Sequence, residues 1–167
     1  SDAMFNGLDA STFRDRYVVT LEDNSLMKET EAQIRATLPD AHLLLIPRTL
    51  ENLVKNGRAP KLAGQLTQML NIRLAVSPEW KSGEIKAVKK GRGAKRIVAN
   101  TMTDCLAFLA EHPGSSVRVL TTGAAEEQEL VNEALAGQDY VDAGTGPIGC
   151  TIATHVGVDA IAISYCP

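Results

Sequence analysis

Ile72-Arg73-Leu74-Ala75-Val76 and Ile85-Lys86-Ala87-Val88-Lys89 are two short runs rich in apolar and β-branched residues, with Lys81-Ser82-Gly83-Glu84 between them. Each run reads as a strand, and the turn residues predict an antiparallel hairpin. The period then changes. From Gly93 to Glu111, Ile97, Val98, Met102, Cys105, Leu106, Phe108 and Leu109 recur at helical spacing, and His112-Pro113-Gly114 stops the run. A hairpin leading into a long amphipathic helix is the combination that decides the fold class.

Working outward, His42 to Ile46 is a buried strand between Pro39 and Pro47. Thr49 caps a helix through Val54, with Gly57 as its stop. Pro60 suits the first turn of a helix carrying Leu62, Leu66, Met69 and Leu70. Val117 to Thr121 alternates like a strand. Glu126 to Leu135 is a helix with acidic residues at its positive end, stopped by Gly137. Tyr140-Val141-Asp142 is a short strand, Gly144 to Pro147 a loop, Ile148 to His155 a helix, and Ala160 to Tyr165 the last strand. Strands joined by a hairpin and by helical crossovers predict an α+β, two-layer sandwich. Its sheet is mixed, mostly antiparallel and of about six strands, with helices packed on one face.

The chain has 167 residues, the size of one domain. With 44% hydrophobic residues it fills a core, and with 4% aromatic that core is mainly Ala, Leu, Ile and Val. A net charge of −3 argues against a nucleic-acid partner. No apolar run approaches the roughly 20 residues of a membrane span, and no signal peptide is visible. Cys105, Cys150 and Cys166 are odd in number and far apart, the pattern of three small buried hydrophobes in a reduced cytoplasm. Ser1-Asp2-Ala3 before Met4 reads as a cloning remnant. Residues 4–40 read as a linker or arm containing a helix from Ser25, and residues 41–167 as the domain proper.

Three features could carry function. Asn56-Gly57-Arg58 lies between two helices, where free N–H groups and a guanidinium can converge on an anion; the alternative is a solvated Arg beside an ordinary turn. Lys81, Lys86, Lys89, Lys90, Arg92, Lys95 and Arg96 form a basic stretch in which Glu84 is the one acid. It is either a solvated face or a docking face for an acidic partner. Gly91-Arg92-Gly93 within it could cradle a phosphate but lacks P-loop spacing. His155, at an element end in apolar surroundings, can donate to a carboxylate or be a satisfied core histidine. No serine lies in a nucleophile-elbow pattern, and no acidic residues have metal-ligand spacing, so neither a catalytic set, a metal nor a cofactor is expected.

These features occur together in an order that resembles the DegV family. Leu50 to Arg58 resembles its Leu-x-x-Leu-x-x-x-Gly-Arg segment, and Met69-Leu70-Asn71-Ile72-Arg73 its Leu-Leu-Asn-Ile-Lys strand start. Gly83-Glu84-Ile85 and Lys90-Gly91-Arg92-Gly93 resemble its turn and basic stretch, and Ile148-Gly149 through His155-Val156-Gly157 its closing motif. The resemblance implies a C-terminal fatty-acid-binding domain with no chemistry of its own. A long-chain fatty acid places its carboxylate near a domain junction and its acyl chain in a tunnel, and a separate fatty acid kinase phosphorylates it. His155 and Arg58 would lie near the carboxylate or the junction. Arg92, with Lys89 and Lys90, would face the partner. Leu66, Leu70, Ile72 and Ile161 are tunnel candidates on apolarity and position alone.

The chain departs from the family in reading Ala59-Pro60 for Ile-Ser, Leu74 for Pro, and Val158-Asp159 for Pro-Gly. The family's Thr-Asp-Ser opening and Ser-Ser loop are missing, so the chain is expected to be a fragment lacking its N-terminal domain and to bind fatty acids weakly by itself. The competing readings are a stand-alone interaction or regulatory module using the basic hairpin, and a small-molecule enzyme using His155.

Overall fold

The computed structural model describes residues 41–65, 71–79 and 84–167. Six strands are β1 His42–Ile46, β2 Ile72–Pro78, β3 Ile85–Arg92, β4 Ser116–Thr121, β5 Val141–Pro147 and β6 Ile161–Cys166. The described residues also hold four helices, α1 Glu51–Lys55, α2 Gly93–Glu111, α3 Ala125–Leu135 and α4 Cys150–Val156, with a 3-10 turn at Pro60–Gln65. The expected helix from Ser25, the Lys81-Ser82-Gly83 turn, and Leu66 and Leu70 fall outside the described residues.

The strands form one open sheet in the order β3-β2-β1-β6-β4-β5. The hairpin is antiparallel as the sequence predicts, from Ile72 opposite Arg92 to Pro78 opposite Ile85. Every neighbouring pair is antiparallel except β4 with β5. The α+β class and mixed six-stranded sheet are therefore as read from the sequence. One segment differs. Gly144 to Pro147, expected as a loop, is the end of strand β5: Thr145, Gly146 and Pro147 pair with Val119, Leu120 and Thr121, and Gly144 lies at the register shift before them. Gly144, Gly146 and Pro147 are of residue types depleted in strands, and Thr145 alone favours one. Return from α3 to the free edge of β4 supplies the pairing that local sequence does not.

Successive residues of the central strands point to opposite faces, and the core divides accordingly. Leu44, Ile46, Ala75, Val117, Val119, Ile161 and Ile163 pack under α2 and α3, against Ile97, Val98, Met102, Cys105, Leu109, Val131 and Leu135. Leu45, Val76 and Ala162 face the other way, onto Leu50, Leu53, Ala59, Leu62, Ile148 and Val156. The two long helices thus share one face as expected. The opposite face carries the short α1, the 3-10 turn and α4, a second small layer beyond the one-face expectation. The last strand to be made, β6, lies between β1 and β4, which explains its continuous apolar run: Ile161, Ala162 and Ile163 are covered on both sides.

Of the three cysteines expected to be buried, Cys105 is, whereas Cys150 is exposed and Cys166 half-buried; Cys105 sits in the larger core, and burial pushes its thiol from an ordinary 9.0 up to about 11. Burial raises the nearby Tyr165 hydroxyl too, helped by Cys105 and Asp104. Folding holds these protons more tightly than the open chain does. The Cys105 contribution to stability is whole below about pH 9 and is lost as pH climbs toward about 11, while that of Tyr165 is lost only from about pH 10 upward. At pH about 8, iodoacetamide should label exposed Cys150 quickly and Cys105 only on unfolding. Peptide mass mapping reads the order, and labelling of Cys105 at the rate of Cys150 would contradict the packed core.

Candidate functional site

The end of α1 and the end of α4 meet. Asn56 is the C-cap of α1, its backbone N–H donating to the Asn52 carbonyl at 2.9 Å. Its side-chain amide reaches across to α4, lying 3.3 Å from the Thr154 carbonyl and 3.3 Å from His155 Nδ1. Two stretches almost a hundred residues apart in sequence, Asn56-Gly57-Arg58 and His155-Val156-Gly157, therefore form one locus. Beneath it, Leu53 and Val156 are buried together in the smaller core.

Gly157 ends α4 with φ 78°, the left-handed region glycine favours. A Cβ there would also stand 2.7 Å from the Asn52 amide nitrogen. The turn that follows is held by Thr122, the residue just past β4. Thr122 Oγ1 donates to the Gly157 carbonyl at 2.8 Å and accepts from Ala160 N–H at 2.9 Å, and Asp159 N–H donates to the Thr122 carbonyl at 3.3 Å. The helix bearing His155 is thus secured at its C-terminal end. Asp159 lies in this turn, and exposed Val158 stands beside it.

Arg58 extends into solvent two residues beyond Asn56. The expected convergence of free N–H groups does not form at Arg58 and Ala59. Both N–H groups donate to the Leu53 carbonyl, at 2.8 and 3.0 Å, which tightens the end of α1. What Arg58 offers is its guanidinium. The phosphate cradle at Gly91-Arg92-Gly93 is likewise absent. The open side of Gly91 is filled by the backbone of α2, and Gly93 N–H donates to the Asn71 carbonyl at 3.1 Å.

The basic stretch is less naked than its sequence suggests. Lys86 pairs with Glu79, and Lys89 with Asp104 of α2 at 2.7 Å. Lys90 and Arg92 are exposed. Such surface pairs contribute little stability, typically about 0–1 kcal/mol. Of the tunnel candidates, Ile161 is fully buried under α2 and α3, and Ile72 is half-buried at the start of β2.

The sequence reading missed a buried ion pair. Arg73, 8% exposed, meets Glu127, 4% exposed, joining β2 to α3. Arg73 Nη2 also donates to the Pro47 carbonyl at 3.5 Å, while its Nε is buried without a partner. Burial and the neighbouring Arg48 lower the guanidinium pKa, against the pull of Glu126 and Asp159. A charged residue inside an apolar strand was the available signal, but its partner is 54 residues away. Among the described residues no group of His, Cys, Asp or Glu could hold a metal ion.

Residues 16–167 match the family described as "Uncharacterised protein, DegV family". The chain belongs to the DegV family. A DegV domain-containing protein of Streptococcus pyogenes is 28% identical over 137 residues, 82% of this chain and 48% of that protein. The fold agrees with solved DegV structures. A Thermus thermophilus DegV family protein, reported for its fatty acid binding, has a TM-score of 0.68 at 22% identity, over 84% of this chain and 52% of its own. The Streptococcus pneumoniae Fatty Acid Kinase (Fak) B3 protein, loaded with linoleic acid, has a TM-score of 0.63 at 22% identity, over 85% and 52%. This DegV chain spans about half the length of these relatives. No helix among its described residues is long and apolar enough to cross a membrane.

Proposed function

We propose that this chain is the C-terminal half of a DegV-type carrier. In this reading it helps hold a long-chain fatty acid and present the carboxylate to a separate fatty acid kinase, with no chemistry of its own. The observation that carries the reading is the junction of Asn56-Gly57-Arg58 with His155-Val156-Gly157 through the Asn56–His155 contact. It brings an imidazole and an exposed guanidinium to one end of the smaller core, a placement suited to an anionic head group. The two solved relatives described above, bound to or reported to bind fatty acids, support the ligand class.

The energetics suit a lipid. Burial contributes about 0.8 kcal/mol per CH₂, so the acyl chain supplies most of the affinity, and a few polar groups set the orientation. His155 and Arg58 are the head-group candidates in this half. Leu66, Leu70, Ile72 and Ile161 are the candidates for the acyl wall, and Arg92, Lys89 and Lys90 for the face toward the kinase. The remaining head-group donors would come from a preceding domain. The two ion pairs at Lys86 and Lys89 weaken the alternative of a stand-alone module docking through the basic hairpin.

Native mass spectrometry of the longer protein containing this chain, purified from cells, tests the reading. The expected spectrum carries one long-chain fatty acid, and His155→Ala weakens palmitate binding by about tenfold or more through loss of a charge-assisted hydrogen bond. A longer protein that carries no fatty acid and binds no added palmitate would refute it.

A further inference from the structure

We infer that Asn56 is a positioning residue that sets the tautomer of His155, so that the ring presents Nε2–H as its one outward donor. The Thr154 carbonyl can only accept, so the nitrogen of the Asn56 amide, 3.3 Å away, must face it. That same nitrogen is 3.3 Å from His155 Nδ1. An amide NH₂ only donates, with one hydrogen for each partner. Nδ1 must therefore accept, and the proton of the neutral ring resides on Nε2. Among the described residues Nε2 has no hydrogen-bond partner, which leaves its proton for a ligand.

Both sides of the contact are anchored. Asn56 is tied into the end of α1 by its own N–H and by Gly57 N–H, which donates to the Val54 carbonyl at 3.0 Å. His155 lies in α4, just before the turn gripped by Thr122. The ring's use for a carboxylate rests on the carrier reading; the tautomer itself does not.

The test is a long-range ¹H–¹⁵N correlation spectrum of the 167-residue chain without ligand. It is taken at pH about 8, above the ordinary imidazole titration near 6.5. The parent is expected to show His155 with bare Nδ1 and protonated Nε2. Asn56→Asp replaces the donor by an acceptor of the same shape, and the expected pattern reverses. Asn56→Ala should lose the hydrogen-bond shift of Nδ1 while leaving the circular dichroism spectrum unchanged. A purely structural role for Asn56 would move the melting temperature and not the ring nitrogens. The inference is overturned if the parent carries its proton on Nδ1, or if neither variant changes the pattern. Because no ligand is used, it fails separately from the carrier reading, which the native mass spectrum decides.

Discussion

Gly91→Ala lowers the unfolding free energy by about 3 kcal/mol, at the upper end of what forced overpacking costs. Gly91 is buried near the end of β3, where α2 crosses it. A Cβ built there would lie 2.5 Å from Ile97 N, 2.6 Å from Ile97 Cα and 2.8 Å from Arg96 C. All three are backbone atoms, so no rotamer change relieves the clash. Either α2 lifts away from the strand, taking Ile97, Val98 and Met102 out of the core, or β3 loses its register with β2. Gly149→Ala is the control. Its φ is −58°, and nothing lies within 4 Å of the added carbon. That change should stay within about 0.5 kcal/mol. Chemical denaturation of the three proteins measures the difference, and a Gly91→Ala midpoint equal to that of the parent would contradict the packing.

The second large effect is at the buried ion pair. Glu127→Ala leaves the Arg73 guanidinium charged, buried and without its carboxylate, at a cost of about 3–5 kcal/mol. Arg73→Met strands the carboxylate in the same way. The double change Arg73→Met with Glu127→Leu removes both charges and fills the space with apolar side chains, so it should cost far less than the sum of the two. The pair already leaves Arg73 Nε unsatisfied, which makes it an expensive way to join β2 to α3. Urea unfolding of the four proteins completes the cycle. Additive single effects would show that the two residues do not share their burial.

The elements with strong local patterns were legible. The helix Gly93–Glu111 and the hairpin of β2 with β3 lie where periodicity put them, because the signals are long and locally complete. Thr49 shows how nearly a cap can be read: the helix begins at Glu51, and Thr49 Oγ1 accepts from its N–H at 2.9 Å. The end of β5 was not legible, since Gly146 and Pro147 look like loop residues until the edge of β4 is there to pair with. At the site, His155 and Arg58 were singled out from the sequence. Asn56 stood in the same motif as Arg58 without a role of its own, and Thr122 went unnoticed, because a polar residue at a helix end or a strand end is ordinary until its partner is known.

By itself, then, the sequence determined the kind and order of most elements and the family. Both depend on patterns within a few residues or on short motifs in a set order. Only the tertiary structure decided that a second layer covers the other face of the sheet, that Gly91 serves packing and not phosphate, that Arg73 finds Glu127, and that Asn56 meets His155. Each of these is a contact between residues far apart in the chain. Its geometry and desolvation exist only once the sheet has brought the two ends together.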